Sequence, residues 1–215
     1  MSSTDRSITR PNRTGEMQRQ GFALLAMIVA LMWVIEVINT LDSNALDNDG
    51  IYPRNLERLW GIFTAPFIHA SFQHLISNTI PLVFMGLIIA LRGAARLALV
   101  TAIVVVVGGI GTWLIAPAHT VTFGASGVVF GYATYLLTRG IFNRSALELL
   151  TGAIVGAVWG GALISSVVPH YGVSWQAHLC GGIAGVLAAW IMARPPARAG
   201  DASAGGRSAA GYLAQ

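Results

Sequence analysis

Residues 97–116 read LALVTAIVVVVGGIGTWLIA, a run without a single charged side chain. About 20 apolar residues make an α-helix long enough to cross the roughly 30 Å hydrocarbon core of a bilayer. Further apolar stretches lie on both sides of this run, at 21–40, 73–91, 124–138, 147–168 and 175–193. The pattern predicts an all-α fold: a polytopic membrane helix bundle with six transmembrane helices.

The overall composition indicates that lipid is the solvent of this chain. Hydrophobic residues make up 54% of it, charged residues 10%, and the mean hydropathy is +0.64. Soluble domains carry roughly 25% charged residues. The net charge is +4, but the basic residues, all arginine, are dispersed between the apolar segments. That dispersal argues against a nucleic-acid partner, and the single cysteine, Cys180, excludes an intramolecular disulfide.

The positions of the arginines predict the topology, because cytoplasmic loops carry an excess of basic residues. The N-terminal segment, the loops after the second and fourth apolar stretches, and the C-terminal segment hold Arg6, Arg10, Arg13, Arg19, Arg92, Arg96, Arg139, Arg144, Arg194, Arg198 and Arg207. Both termini are therefore expected in the cytoplasm. We expect residues 1–20 to be a cytoplasmic tail, 21–193 the membrane domain and 194–215 a disordered tail. Arg54 and Arg58, in the outer loop 41–72, are exceptions to this rule.

The fourth apolar segment is short, with only about 24 Å of helix between Phe123 and Arg139. The residues before it, 117–122, form a poor helix. Irregular backbone at membrane depth is tolerated only where protein surrounds it or water reaches it. The sequence therefore predicts a water-accessible cavity that opens to the outer side, with the fourth helix starting at its floor.

Four polar residues from three segments are expected at that floor. Counted at about 1.5 Å per residue, Ser126, Asn78, His178 and His74 lie roughly 20 to 27 Å above the cytoplasmic arginines. Polar groups at such depth are candidates for function. Ser126, at the start of a helix, is suited to be a nucleophile, and His178 to accept its proton as general base.

His74 and Asn78 are four residues apart, so they share one helix face. Both side chains can donate hydrogen bonds to an oxyanion. No acidic residue is placed to orient His178, so the sequence predicts a Ser–His dyad. Glycines four residues apart, Gly127 with Gly131 and Gly181 with Gly185, predict close packing of the fourth and sixth helices.

Three motifs resemble those of the rhomboid family of intramembrane serine proteases. His69-(4)-His74-(3)-Asn78 is similar to the family's HxxxxHxxxN, and Gly124-Ala125-Ser126-Gly127 to its GxSG. The segment that starts His178-Leu179-Cys180-Gly181 and reaches Gly185 is similar to HxxGxxxG. The motifs follow the family's order, and the resemblance covers about 56–192.

The resemblance implies a serine endopeptidase that cleaves transmembrane protein substrates near the outer face of the membrane. Ser126 would be the nucleophile and His178 the base. His74, Asn78 and the Ser126 N–H would form the oxyanion hole. No cofactor or metal would be needed, and substrates would enter sideways from the lipid bilayer. The absence of lysine favours an arginine-preferring bacterial genome, hence a bacterial plasma membrane.

Two positions depart from the family pattern. The outer loop has Trp60-Gly61, with Arg58 two residues earlier, where the family often has Trp-Arg. Phe130 stands where the family often has a tyrosine packed on the histidine, so it could stack but not donate a hydrogen bond.

Other functions remain open from the sequence alone. A catalytically silent relative could bind transmembrane clients, although such a protein would be expected to lack the serine or the histidine. A small-solute transporter or channel would often show internal repeats, and none is found. A zinc site from His69, His74 and His178 would lack supporting carboxylates. The sequence does not predict the oligomeric state or the identity of the substrate.

Overall fold

The computed structural model describes residues 13–169 and 172–193. Within these ranges the chain forms six long helices and, between the first two, a folded outer loop. The helices are α1 (Arg13–Leu41), α2 (Phe72–Ala90), α3 (Ala94–Ile115), α4 (Ser126–Asn143), α5 (Ala146–Val167) and α6 (Trp175–Ile191). The predicted all-α fold is confirmed. Most of the two predicted tails, residues 1–12 and 194–215, lies outside the described residues.

The helix boundaries differ most from the predicted segments at two places. α1 starts at Arg13, inside the stretch that we expected to be a tail, and α4 continues beyond residue 138 to Asn143. Four helices, α1, α2, α3 and α5, are long and apolar enough to cross a bilayer. α6 is apolar but only 17 residues long, and the 18-residue α4 is more polar. The described residues thus contain six long helices, of which four have the length and the hydropathy of a membrane span.

α4 and α6 pack backbone to backbone in the centre of the bundle. A Cβ atom on Gly181 would collide with the carbonyl of Gly127, and one on Gly185 with the carbonyl of Gly131. Membrane helices approach this closely only through small residues, because their association rests on contact rather than on water exclusion. The predicted packing of the two glycine pairs is confirmed.

The outer loop folds against the start of α4. It contains four short helical turns, Ala45–Asp49, Leu56–Arg58, Gly61–Thr64 and Ala65–Phe67. Ile51 and Thr122 exchange two backbone hydrogen bonds, of 2.8 and 3.1 Å, in an antiparallel bridge. This bridge holds the irregular segment 117–125 against the loop and so fixes the point where α4 begins.

Both arginines that depart from the positive-inside pattern have defined partners. The Arg54 guanidinium donates to the carbonyls of Leu114 and Ala116 at 2.9 and 2.8 Å. It thereby caps the C-terminal end of α3, where carbonyls lack helical partners and positive charge is favoured. Arg58 forms an ion pair with Asp49 at 3.1 Å. These partners explain why the two arginines lie in the outer loop.

A partly buried ion-pair network ties together the ends of the helices that carry Arg92, Arg139 and Glu148. Glu148, near the start of α5, accepts hydrogen bonds from Arg92 and Arg139, each at 2.6 Å, and from Asn143 at 2.6 Å. The side chain of Arg139 is only 5% exposed. The network joins the connection between α2 and α3, the last turn of α4 and the first turn of α5.

Candidate active site

A cavity of about 520 Å³ opens between α2, α4, α5 and α6, at the end of the bundle away from the Glu148 network. All four predicted site residues line it: Ser126, His178, His74 and Asn78. The remaining lining residues are Ala70, Ser77, Pro81, Thr122, Phe123, Val129, Phe130, Trp159, Ala162, Leu163, Ser166, Gly172, Val173 and Ser174. The structure therefore brings the sequence-predicted residues together around one space.

Ser126 is the first residue of α4, and a tight turn presents it. Gly124 has a φ of +117°, a conformation open to glycine but strained for residues with a Cβ. A Cβ there would also lie 2.9 Å from Cε1 of His74. Within the turn, the Gly124 N–H donates to the Ala65 carbonyl at 2.8 Å, and the Ala125 N–H to Nε2 of His69 at 3.3 Å. The next N–H along the chain, that of Ser126, belongs to the free donors of a helix N-terminus.

His178 is held on two sides. The residue is 6% exposed, and its ring stacks on Phe130, with centroids 4.4 Å apart and planes 3° from parallel. Nδ1 lies 2.7 Å from the main-chain oxygen of Ser166. A carbonyl only accepts hydrogen bonds, so Nδ1 carries the proton and Nε2 keeps its lone pair. Among the described residues no hydrogen bond joins His178 to Ser126, a common finding where catalytic contacts tighten only with substrate bound.

His74 and Asn78 lie on the opposite side of the cavity, on α2. The Ala70 N–H donates to Nδ1 of His74 at 3.4 Å, which leaves the ring proton on Nε2. Nε2 is 3.0 Å from the position that a Gly124 Cβ would occupy, beside the turn that carries Ser126. Asn78 donates one side-chain N–H to the His74 carbonyl at 3.2 Å and has a second to offer. Two side-chain donors therefore face the start of α4.

His69, the first histidine of the motif, contacts the turn rather than the cavity. It is fully buried, and its carbonyl accepts from Asn39 at 3.3 Å. Burial and, to a smaller degree, the neighbouring His74 lower the pKa of His69 to about 4. A neutral His69 can accept the Ala125 N–H on Nε2, whereas a protonated ring cannot. Its position indicates a role in holding the turn.

No group of three or more His, Cys, Asp or Glu side chains within the described residues is arranged to bind a metal ion. His69 and His74 are neighbours, with ring centroids 5.1 Å apart. The three histidines considered from the sequence as zinc ligands therefore do not form such a cluster.

A family model for the rhomboid domain matches residues 56–195. The chain belongs to the rhomboid family. Protein ML1171 of Mycobacterium leprae is 41% identical over 196 residues, which cover 87% of this chain and 77% of the relative. Protein Rv1337 of Mycobacterium tuberculosis is 39% identical over 187 residues, 83% of this chain and 78% of the relative. YdcA of Bacillus subtilis, named as a candidate rhomboid protease, is 26% identical over 184 residues, 82% of this chain and 92% of the relative.

Membership of the rhomboid family, together with the apolar helices, makes this chain an integral membrane protein. The outer loop, which has Trp60-Gly61 where the family often has Trp-Arg, still pairs an arginine with aromatic rings. The Arg58 guanidinium lies over the ring of Trp60 at 5.0 Å and over that of Tyr52 at 4.4 Å. The loop thus keeps an arginine–aromatic anchor despite Trp60-Gly61. Phe130 stacks on the histidine, as the sequence suggested.

Sequence reasoning missed two contributions to this rhomboid site. One is the Ser166 carbonyl, a backbone group that no sequence motif marks. Pro169 was the signal that could have indicated it, because this proline ends α5 beside Ser166. The other is Trp159, whose indole lines the cavity and contacts Phe84 with ring centroids 6.4 Å apart.

Proposed function

We propose that this rhomboid protein is an intramembrane serine endopeptidase that cleaves transmembrane protein substrates near the outer face of the membrane. The observation that carries the proposal is the convergence of Ser126, His178, His74 and Asn78 on one cavity. Family membership supports it, and the relative named as a candidate rhomboid protease agrees with it. The cavity supplies the water that peptide hydrolysis needs.

In the proposed reaction, Ser126 Oγ attacks the scissile carbonyl carbon while Nε2 of His178 takes the hydroxyl proton. The tautomer set by the Ser166 carbonyl leaves Nε2 free for this step. His178 then gives the proton to the leaving amine, and the peptide C–N bond breaks. Water from the cavity attacks the acyl-enzyme with His178 again as base, which releases the second product and restores Ser126.

The negative charge that develops on the substrate oxygen requires donors fixed in place beforehand. Three N–H groups are suited to this: that of Ser126, Nε2–H of His74 and the second side-chain N–H of Asn78. The N-terminus of α4 adds the positive end of a helix dipole. Low dielectric around the cavity strengthens these interactions relative to bulk water.

The proposed localisation is a bacterial plasma membrane with both termini in the cytoplasm. The arginine distribution supports this orientation, and the mycobacterial relatives agree with a bacterial source. The cavity lies opposite the arginine-rich ends of the helices and so would open to the outer side. Substrates would then be cut where their helices leave the outer leaflet.

The test is cleavage of a fluorescent transmembrane reporter in liposomes that contain the purified protein. We expect turnover by the wild type and none by Ser126→Ala or His178→Ala. Asn78→Ala should lower the rate by about 100-fold, the lower end of the range for loss of one oxyanion donor, because two other donors remain. Cleavage by Ser126→Ala at the wild-type rate would refute the assignment of Ser126 as the nucleophile. A folded wild type that binds the reporter without cleaving it would favour the silent client-binding function.

A further inference from the structure

A Ser–His pair needs a group that orients the histidine. In a Ser-His-Asp triad a carboxylate accepts the Nδ1 proton, keeps the correct tautomer and stabilises the imidazolium that forms. In this protein the partner of Nδ1 is the main-chain oxygen of Ser166, at 2.7 Å. This carbonyl occupies the place at Nδ1 that a carboxylate occupies in a triad.

The local sequence explains why the Ser166 carbonyl is available. In a continuing helix it would accept the N–H of residue 170. Pro169 disfavours a helical conformation for the residue before it, and Val168 is extended, with φ −76° and ψ 131°. α5 therefore ends at Val167, and the Val168 N–H turns back to the Ser165 carbonyl at 3.3 Å. The Ser166 carbonyl is thus one of the last four of the helix, which have no acceptor role within it, and it is available to His178.

The end of a helix also supplies charge. The C-terminus of an α-helix carries about half a negative charge, and a histidinium placed there is stabilised. α5 has 22 residues, enough for the full partial charge at its C-terminus. When His178 takes the proton of Ser126, the imidazolium forms against this negative end. The arrangement can therefore replace both functions of an aspartate.

The two halves of α5 are held very differently. Its buried residues, Glu148, Gly152 and Val155, all lie in the first half. Gly152 touches the backbone of α4, where an added Cβ would lie 2.8 Å from the Leu136 carbonyl. In the second half an added Cβ on Gly160 or Gly161 would meet nothing within 4 Å. This half lines the cavity and contacts the core through the partly buried side chains of Trp159 and Leu163.

We infer that the outer end of α5 is the third component of the catalytic set, with the Ser166 carbonyl as the positioning group for His178. This inference rests on the proposed function of Ser126 and His178. On this inference, His178 can act as the base only while the less tightly packed half of α5 keeps its present position. Displacement of that end would remove the Nδ1 acceptor while leaving Ser126 and His178 themselves intact.

The direct test is a distance measurement by solid-state NMR in liposomes. The protein is labelled with ¹⁵N at Nδ1 of histidine and ¹³C at the serine carbonyl, and rotational-echo dephasing of the His178 signal is recorded. We expect a protonated Nδ1 that is dephased in the wild type and in Ser165→Ala. Dephasing should vanish in Ser166→Ala, which keeps the carbonyl but loses its label. An unprotonated Nδ1, or a wild-type His178 signal without dephasing, would overturn the inference.

The functional test uses Pro169→Ala, which restores a backbone N–H and allows α5 to continue. The Ser166 carbonyl would then accept the N–H of residue 170 instead of the Nδ1–H of His178. The rate of reaction with a fluorophosphonate and the His178 dephasing are measured on the same sample. We expect both to fall, the rate by about tenfold, whereas Ser165→Ala should react like the wild type. Loss of dephasing at an unchanged rate would contradict a positioning role. A wild type that does not react, or a Ser126→Ala variant that does, would instead refute the proposed function.

Discussion

At the scale of single residues, three histidines in this bundle hold defined tautomers, each set by one partner. The Ala125 N–H makes His69 an acceptor at Nε2, and the Ala70 N–H makes His74 an acceptor at Nδ1. The Ser166 carbonyl makes His178 a donor at Nδ1. His69 and His178 therefore keep a lone pair on Nε2, whereas His74 carries a proton there. The three rings are thus suited to different work: holding the turn, accepting a proton and donating to an oxyanion.

The lowered pKa of His69 predicts an acid-sensitive fold. The unfolded chain binds a proton at this residue below about pH 6.5, whereas the folded protein does so only near pH 4. The stability that neutral His69 contributes is therefore present above about pH 6.5 and is lost as the pH falls towards 4, by at most about 3 kcal/mol. The thermal unfolding midpoint in detergent, followed over this pH range, measures the effect.

His69→Gln is the matched variant, because its side-chain oxygen can accept the Ala125 N–H and does not titrate. We expect its midpoint to depend less on pH than that of the wild type. Equal pH dependence in the two proteins would show that other groups cause the acid sensitivity.

The stack between Phe130 and His178 predicts a graded response to substitution. Aromatic pairs contribute about 0.5–1.5 kcal/mol beyond area burial, so Phe130→Ala should slow reporter cleavage by roughly 2- to 10-fold. Phe130→Tyr keeps the ring and should cleave at close to the wild-type rate. A Phe130→Ala variant as active as the wild type would mean that the stack does not position the base.

At the scale of helices, the contact between α4 and α6 sets the relation between Ser126 and His178. Each residue lies just above a glycine face, and the faces touch through Gly127, Gly131, Gly181 and Gly185. A side chain at this contact would push the helices apart and so separate nucleophile from base. Stability and catalysis therefore depend on the same four glycines.

Gly185→Ala tests this dependence. The added methyl group would meet the Gly131 carbonyl, and overpacking of this kind costs about 1–3 kcal/mol. We expect a lower unfolding midpoint and slower cleavage. Gly161→Ala is the control, because it adds the same group where nothing lies within 4 Å; it should be neutral or slightly stabilising. Similar losses in both variants would argue against the close contact as the cause.

The sequence predicted these elements to different degrees. The apolar runs predicted all six helices, and the glycine spacing predicted which two would touch, because both signals are local and periodic. The four site residues could be found because membrane depth is readable from helix rise. The Ser166 carbonyl and the anchoring of the Gly124 turn by His69 could not be derived, because they depend on how segments distant in the chain meet. Arg54 was identified only as an exception, since its acceptors are backbone carbonyls of α3.

At the scale of the whole molecule, the two ends of the bundle differ in packing. One end is closed by the network around Glu148, and the opposite end contains the cavity and the exposed half of α5. This asymmetry suits an enzyme that must admit a substrate helix and water at one side without unfolding.

Glu148→Ala should therefore destabilise the whole fold. It would leave the buried Arg139 without its carboxylate partner, and removal of one member of a buried pair typically costs about 3–5 kcal/mol. Glu16→Ala is the control, since the Glu16–Arg19 pair is exposed. This substitution should not change the unfolding midpoint measurably. An unchanged midpoint for Glu148→Ala would show that the network is dispensable.

The predicted topology can be tested with reporter fusions in a bacterial host. Green fluorescent protein fused at the C-terminus should fluoresce, because it folds in the cytoplasm, and alkaline phosphatase at the same position should be inactive. The reverse result would place the C-terminus outside and contradict an even number of crossings with a cytoplasmic N-terminus.

The central claim is that Ser126 is a nucleophile activated by His178. Its most direct test is mass spectrometry of the protein after reaction with a fluorophosphonate in detergent. The account predicts a single adduct on the peptide that contains Ser126, and no adduct at that position in folded His178→Ala. An adduct on another residue, or equal labelling of Ser126 without His178, would contradict it.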